Sequence, residues 1–96
     1  MAAYLMRSIN QIKDPAAFAA FQKAASSAFT NYGGKFLLNS QMVESLDGDW
    51  APIGLVIVEF ETYEQAKAFF YSPENQAAIG QRLQTADSSV ILVDGG

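Results

Sequence analysis

The chain has 96 residues and contains neither cysteine nor histidine. These absences exclude disulfides, thiolate nucleophiles, zinc sites built on cysteine or histidine, and imidazole acid–base catalysis. Half of the residues are apolar, which favours a folded chain, and the length allows one core, so we expect a single domain over residues 1–96. A formal net charge of −4 disfavours nucleic acid and anionic membranes as partners.

Targeting signals and spanning segments are the next features that a sequence can exclude. Residues 1–10 lack the basic segment and long apolar stretch of a signal peptide. The apolar run Ile53–Val58 is far shorter than the roughly 20 residues that a transmembrane helix needs. We therefore expect a cytoplasmic protein that does not enter a membrane.

The first half of the chain reads as a strand, a helix and a strand. Ala3–Ile9 is a short apolar run typical of a strand. Asp14 followed by Pro15 is a helix N-cap with proline at the first helical position, and Gly33 with Gly34 supplies the C-terminal cap. The large apolar residues of this helix fall on one face, at Phe18, Phe21, Ala25 and Phe29.

The strand that follows is predicted to begin at Lys35 and to continue past a bend to Leu46. After a turn over 47–52, Ile53–Phe60 is a strand rich in β-branched residues. Thr62 and Gln65 have the spacing of a capping box, which predicts a helix start. Ser72–Pro73 repeats the cap-plus-proline signal and predicts a second helical piece. Ser89–Val93 is the last predicted strand.

This order of elements predicts an α+β, ferredoxin-like βαββαβ fold. Its four-stranded antiparallel sheet has the strand order 4-1-3-2, with the helices on one face. The third strand is apolar on both faces, with Val56 and Val58 on one and Leu55 and Ile57 on the other. A bare face of this kind predicts a homodimer stacked through the sheets. Leu55 and Ile57 stand where RNA-recognition modules have base-stacking aromatic residues, so we expect no nucleic-acid binding.

Several short motifs together resemble one known family. The matching segments are Asp14–Pro15, Tyr32–Leu37, Glu44–Trp50 with Pro52, Val58–Phe60, Ala66 with Phe69, Ser72–Glu74 and Ile91–Gly95. They span almost the whole chain in the order of the domain-of-unknown-function 1330 family (DUF1330), in the dimeric α+β barrel superfamily. The resemblance implies a ferredoxin-like subunit that pairs through its sheets, and it implies no particular reaction. Asn75 stands where the family usually has tyrosine, so a pocket that depends on that tyrosine is altered here.

The first functional hypothesis is a small-molecule-binding homodimer. Related barrel dimers hold apolar or aromatic ligands between helices and sheet. The residues that we predict to line such a space are Phe18, Phe21, Trp50, Phe69 and Tyr71. Trp50 also has a simpler explanation, packing over the turn or against the partner subunit.

The second hypothesis is a cofactor-independent isomerase or an oxygenase-like enzyme, with Glu59 as base and Arg82 as anion clamp. The simpler alternatives are an ion pair of Glu59 with Arg7 or solvent exposure of Glu59, and a surface or intersubunit ion pair of Arg82. The third hypothesis is a structural dimer without a ligand. We expect no cofactor and no metal, because Gly33–Lys35 lacks the spacing of a phosphate-binding loop and the acidic residues over 44–49 lack the ordered ligand set of a calcium loop.

Overall fold

Four antiparallel strands form one sheet, and three helices cover one of its faces. The computed structural model describes residues 2–95. The elements in chain order are β1 (Ala3–Ile12), α1 (Pro15–Asn31), β2 (Lys35–Ser40), β3 (Gly54–Phe60), α2 (Tyr63–Phe70), α3 (Pro73–Thr85) and β4 (Ala86–Asp94). The strand order across the sheet is β2-β3-β1-β4, so the predicted ferredoxin-like topology is confirmed.

Both ends of α1 are capped as the sequence predicts. The Asp14 carboxylate accepts a hydrogen bond from the backbone N–H of Ala17 at 3.2 Å. At the other end the N–H of Gly34 donates to the carbonyl of Phe29 at 2.7 Å, and the N–H of Gly33 donates to that of Thr30 at 3.1 Å. This pair of bonds is a Schellman motif, and it needs the positive φ of +84° at Gly33 that glycine adopts without strain.

The helical region after β3 is divided by a second cap. The Thr62 hydroxyl accepts from the N–H of Gln65 at 3.0 Å and begins α2. The reciprocal half of the predicted capping box is absent, because the Gln65 side chain donates instead to the carbonyl of Tyr32 at 2.9 Å. Gln65 thus ties α2 to the end of α1. The predicted break at Ser72–Pro73 is confirmed, since the Ser72 hydroxyl accepts from the N–H of Asn75 and starts α3.

Replacing Ser72 with alanine is expected to lower the free energy of unfolding by about 1 kcal/mol, within the range measured for N-cap removal. The Ser72 side chain is buried and its hydroxyl also donates to the carbonyl of Phe69 at 2.6 Å, so both bonds are lost at once. Urea unfolding at neutral pH measures the change. The exposed Ser27→Ala on α1 is the control and should change stability by less than about 0.5 kcal/mol. Equal midpoints for Ser72→Ala and the parent protein would contradict the assignment.

The prediction that β2 continues to Leu46 is wrong. The strand ends at Ser40, whose hydroxyl accepts from the N–H of Met42 at 3.1 Å and turns the chain away from the sheet. The residues over 41–53 have no regular secondary structure, and Met42 and Leu46 are 93% and 86% exposed. Their apolar character resembled a strand in the sequence, but no neighbouring strand is available to pair with them.

The core lies between the helices and the inner face of the sheet. Val58 and Phe60 of β3 are fully buried there. Phe69 of α2 is central, with its ring centroid 4.5 Å from that of Phe29 and 5.8 Å from that of Phe60. This aromatic cluster joins α1, α2 and β3 and so fixes the helical layer above the sheet.

The outer face of the sheet carries a row of apolar side chains across all four strands. Leu38 pairs with Ile57, Ile57 with Met6, and Met6 with Ile91 in the strand register. Leu38 and Ile91 are 40% and 55% exposed. The prediction that the strands carry apolar residues on both faces is therefore confirmed, and no helix within residues 2–95 covers this second face.

Candidate functional site

A small cavity lies between the helical layer and the centre of the sheet. Its volume is about 20 Å³, which is room for about one water molecule. The polar and aromatic groups of its wall are Arg7, Phe21, Phe29, Phe69, Phe70, Asn75 and Arg82. We call this space the arginine cavity. It brings together the buried side chain of Arg7 and the half-buried side chain of Arg82.

Arg7 enters the core because of its position along β1. It lies between Leu5 and Ile9 on the inward-facing side, and its side chain is only 5% exposed. The guanidinium carbon is 5.3 Å from the ring centroid of Phe21, a cation–π contact. Its Nε atom has no hydrogen-bond partner anywhere in residues 2–95. A buried donor without a partner is rare in proteins and calls for a specific explanation.

Burial and a neighbouring cation both oppose the charge on Arg7. Burial, and secondly repulsion from Arg82, lowers the pKa of Arg7 to about 10, so Arg7 stays charged at neutral pH. Partial burial likewise lowers the pKa of Arg82. No carboxylate of the described chain contributes to either pKa. Two positive charges thus share the cavity without an acidic partner.

Arg82 is held from one side only. Its Nη1 atom donates to the Ser88 hydroxyl at 2.8 Å and to the Ser88 carbonyl at 3.4 Å, which fastens α3 to the start of β4. A guanidinium has five N–H donors in a planar fork, so donors of Arg82 remain for another acceptor. Asn75 is occupied differently, because its amide donates to the carbonyl of Phe70 at 2.7 Å.

An open groove adjoins the arginine cavity at the edge of the sheet. It lies between α2 and β4 and has a volume of about 290 Å³. Leu5, Phe70 and Val90 line both the groove and the cavity. The rest of the groove wall includes Tyr63, Lys67, Tyr71 and Leu92. We call it the α2–β4 groove, and the side chains of Phe70 and Val90 separate it from the two arginines.

The five predicted ligand-binding residues are not brought together. Phe21 and Phe69 line the arginine cavity, and Tyr71 lines the α2–β4 groove. Phe18 packs on Phe21 with ring centroids 5.8 Å apart, but it lines a different hollow near Ile53. Trp50 is 60% exposed and lies over the outer face of the sheet, beside Met6 and Ile91. The sheet itself separates Trp50 from the other four.

Glu59 does not pair with Arg7, so that expectation is wrong. Glu59 lies on the outer face, where its register partners are Tyr4 and Lys35. Arg7 is opposite Val56 and points to the inner face. Arg82 is also on the helical side, so the sheet separates it from Glu59. The predicted combination of Glu59 as base with Arg82 as anion clamp therefore does not form one site within a chain.

Sequence reasoning missed Arg7 as a site residue. The available signal was strand periodicity, because Arg7 has the same parity as the buried Ala3, Leu5 and Ile9. A charged residue at a core position of a strand is rare unless it is paired or functional. Asn75 had a signal only through the family resemblance, as the replacement of a usual tyrosine, and Phe70 had none, since its place in the cavity wall depends on how α2 and α3 meet.

The described chain has neither a metal-binding cluster nor a membrane-spanning helix. In residues 2–95, no group of three or more acidic, cysteine or histidine side chains is arranged to hold a metal ion. No helix in that range has the length and hydrophobicity to cross a bilayer.

The sequence and fold are similar to those of proteins with little assigned function. Residues 2–96 match the family model described as a domain of unknown function, DUF1330. No curated protein matches the chain significantly. A protein of unknown function from Rhodopseudomonas palustris has a similar structure, with a TM-score of 0.78 and 19% identity over 99% of this chain and 82% of that chain.

Two other solved structures are similar over nearly their full lengths. SnoaB, a cofactor-independent oxygenase from Streptomyces nogalater, has a TM-score of 0.71 and 13% identity over 99% of this chain and 93% of that chain. A dimeric protein of unknown function and ferredoxin-like fold from Bacteroides fragilis has a TM-score of 0.63 and 12% identity, covering 97% and 95%. At these identities the similarity shows a shared fold and nothing finer.

Proposed function

This chain belongs to the DUF1330 family, and we propose that it is a homodimeric protein that binds a small apolar or aromatic molecule between its helices and its sheet. The observation that carries the proposal is the α2–β4 groove. It adjoins a cavity that contains the buried Arg7, whose Nε atom has no hydrogen-bond partner among the described residues. Residues of one chain line the groove and the cavity, and Ile91 of the groove wall also belongs to the outer-face row of the sheet.

The dimer is proposed through the outer faces of the sheets. The row formed by Leu38, Ile57, Met6 and Ile91 is apolar and uncovered, and the exposed Trp50 extends it at one end. Stacking two such faces in an interface of standard size, about 1,600 Å² in total and near 60% apolar, would gain roughly 20 kcal/mol at about 25 cal/mol per Å² of apolar area. Association costs about 4 to 15 kcal/mol, so a stable dimer is favoured. The Bacteroides fragilis neighbour described as dimeric agrees with this proposal.

The groove has the size and chemistry of a small ligand site. Its volume of about 290 Å³ is at the lower end of the range of about 300 to 1,000 Å³ for small-molecule pockets. Phe70, Val90 and Leu92 supply apolar surface, while the hydroxyls of Tyr63 and Tyr71 and the ammonium of Lys67 are the polar groups. An apolar wall with a few polar groups is typical of sites that bind aromatic molecules.

An enzymatic role is a weaker proposal. The similarity to a cofactor-independent oxygenase concerns the fold, and the acid–base pair expected from the sequence is divided by the sheet. Among the described residues, no carboxylate or imidazole lines the groove or the arginine cavity. Binding without a chemical step is therefore the function that these residues support best.

Amide chemical-shift mapping with a neutral aromatic probe tests the groove. We expect indole to shift resonances of groove residues in a saturable way, and to bind about tenfold more weakly to Val90→Trp, whose larger side chain fills the groove. The matched control is Val93→Trp, on the same strand but on the outer face. Either of two results would overturn the proposal. One is a set of saturable shifts centred on Trp50 instead of the groove. The other is the absence of saturable shifts up to about 10 mM indole, since a dissociation constant above this value means less than about 3 kcal/mol of binding free energy.

A further inference from the structure

The arginine cavity contains a buried cation whose Nε atom finds no hydrogen-bond partner in residues 2–95. Arg7 is 5% exposed and its Nε atom is unbonded within the described chain. A charge removed from water is strongly destabilising unless a counter-charge and hydrogen bonds replace its hydration. The nearby charged group that affects its pKa is Arg82, another cation. The missing group is therefore an anion.

The second arginine makes the position suitable for one small anion. Arg82 uses Nη1 to bond Ser88, which fixes the guanidinium at the cavity wall while other donors remain available. A carboxylate has two oxygens and accepts from guanidinium groups in bidentate geometry. Two oxygens facing two guanidinium groups would satisfy Arg7 Nε and reduce the repulsion between the arginines.

The surroundings discriminate between kinds of anion. Apart from the arginines, the polar side chain of the cavity wall is Asn75, whose amide already donates to the Phe70 carbonyl. Phosphate has more oxygens to satisfy and more charge to desolvate, and the aromatic wall of Phe21, Phe29 and Phe69 supplies no further donors. The net charge of −4 also opposes a polyanion. A single carboxylate matches the available donors better.

The path to the cavity indicates what the carboxylate is attached to. The cavity of about 20 Å³ is too small for more than the anionic group, whereas the adjoining groove of about 290 Å³ accepts a ring or a short aliphatic chain. Phe70 and Val90 lie between the two spaces, so binding requires the Phe70 side chain to move aside. Its ring is partly exposed and makes an edge contact with Tyr71, with centroids 5.2 Å apart.

We propose that the ligand is a small aromatic or apolar monocarboxylic acid, with its apolar part in the α2–β4 groove and its carboxylate bound by Arg7 and Arg82. This inference rests on the proposed function, because it names the class of molecule that the groove binds. Arg7 and Arg82 are binding residues in this arrangement, and no chemical step is assigned to them.

The test compares two probes of nearly the same shape that differ in charge. Isothermal titration of the full chain with benzoate and with benzamide should show benzoate binding at least tenfold more tightly. In Arg7→Met and in Arg82→Met this preference should fall to less than about twofold, while benzamide affinity is retained. Circular dichroism and thermal melting confirm that each variant is folded, and Arg7→Lys, which keeps the charge without the fork, should retain part of the preference.

Lys23 provides the matched control, because it is a cation on the exposed side of α1 that lines neither the groove nor the cavity. Lys23→Met should leave the benzoate-to-benzamide ratio within about twofold. Lys67 is the competing cation for the carboxylate, because it lines the groove outside the cavity, with its exposed ammonium 5.8 Å from the Tyr63 ring centroid. A loss of preference in Lys67→Met but not in Arg7→Met would place the carboxylate at the groove surface and overturn the proposal.

The remaining outcomes distinguish this inference from the proposed function. Equal affinity of the parent protein for benzoate and benzamide would refute the carboxylate assignment and leave the groove proposal standing. Absence of binding by either probe, together with absence of indole binding, would refute both. Inorganic phosphate competing with benzoate at equal concentration would show that the arginines select anions in general, which also contradicts the assignment.

Discussion

Replacing Ile57 with glutamate is expected to convert the proposed dimer into monomers, with a dissociation constant raised more than a thousandfold. Ile57 lies on β3 in the central part of the outer face, between Leu38 and Met6. A dimer about a twofold axis would bury two copies of the new carboxylate without a counter-charge. Desolvation and like-charge repulsion cost several kcal/mol, and about 4 kcal/mol is a thousandfold in affinity.

Sedimentation equilibrium at several micromolar concentrations measures this change. Two controls separate loss of the interface from loss of the fold. Ile57→Val keeps an apolar side chain and should remain dimeric, and Ala19→Glu places the same charge on the exposed surface of α1. A monomeric mass for the parent protein, or a dimeric mass for Ile57→Glu, would disprove pairing through the sheets.

Replacing Arg7 with methionine is expected to raise the free energy of unfolding by about 1 to 3 kcal/mol. The methionine side chain fills similar space against Phe21 and needs no counter-charge, so the cost of an unpaired buried cation disappears. For a chain of this size the melting temperature should rise by roughly 5 to 15 °C. Urea unfolding at one fixed protein concentration measures the free energy without contributions from a changed dimer equilibrium.

Arg7→Lys is the matched control for charge, because it keeps a cation in the core and should not be stabilising. Lys23→Met, on the exposed side of α1, controls for the gain of a methionine and should change stability by less than about 0.5 kcal/mol. A loss of more than about 2 kcal/mol in Arg7→Met would show that the cation–π contact with Phe21 stabilises the fold, and would remove the argument that Arg7 is kept for a ligand.

The two variants examine opposite faces of one sheet. Ile57 is apolar where a single chain leaves it uncovered, and Arg7 is charged where the chain buries it. Each residue is unfavourable in an isolated, unliganded subunit. Residues that reduce stability in this way are expected where function requires them, since selection retains stability only above a threshold.

The elements of the fold were predictable because their signals are local. The cap at Asp14, the glycine pair after α1 and the break at Ser72 act through hydrogen bonds within a few residues, and each is present in the structure. The predicted strand extension to Leu46 failed because a strand also needs a neighbour. Nothing in that segment indicated that Ser40 would turn the chain away from β3.

The apolar parity of the strands was determined by the sequence by itself, and with it the ferredoxin-like sheet and its uncovered face. Because successive side chains of a strand point to opposite faces, Leu55 and Ile57 lie on one face of β3, and Val56 and Val58 lie on the other. This holds whatever the strand packs against. The site was decided only by tertiary structure. Arg7 and Arg82 are 75 positions apart in the sequence, and they line one cavity because α3 packs against α1 and β4, beside β1 in the sheet. The sheet lies between Glu59 and Arg82 for a related reason. Side chains alternate along β3, and Glu59 is at an outward-facing position, whereas α3 carries Arg82 on the helical side of the sheet.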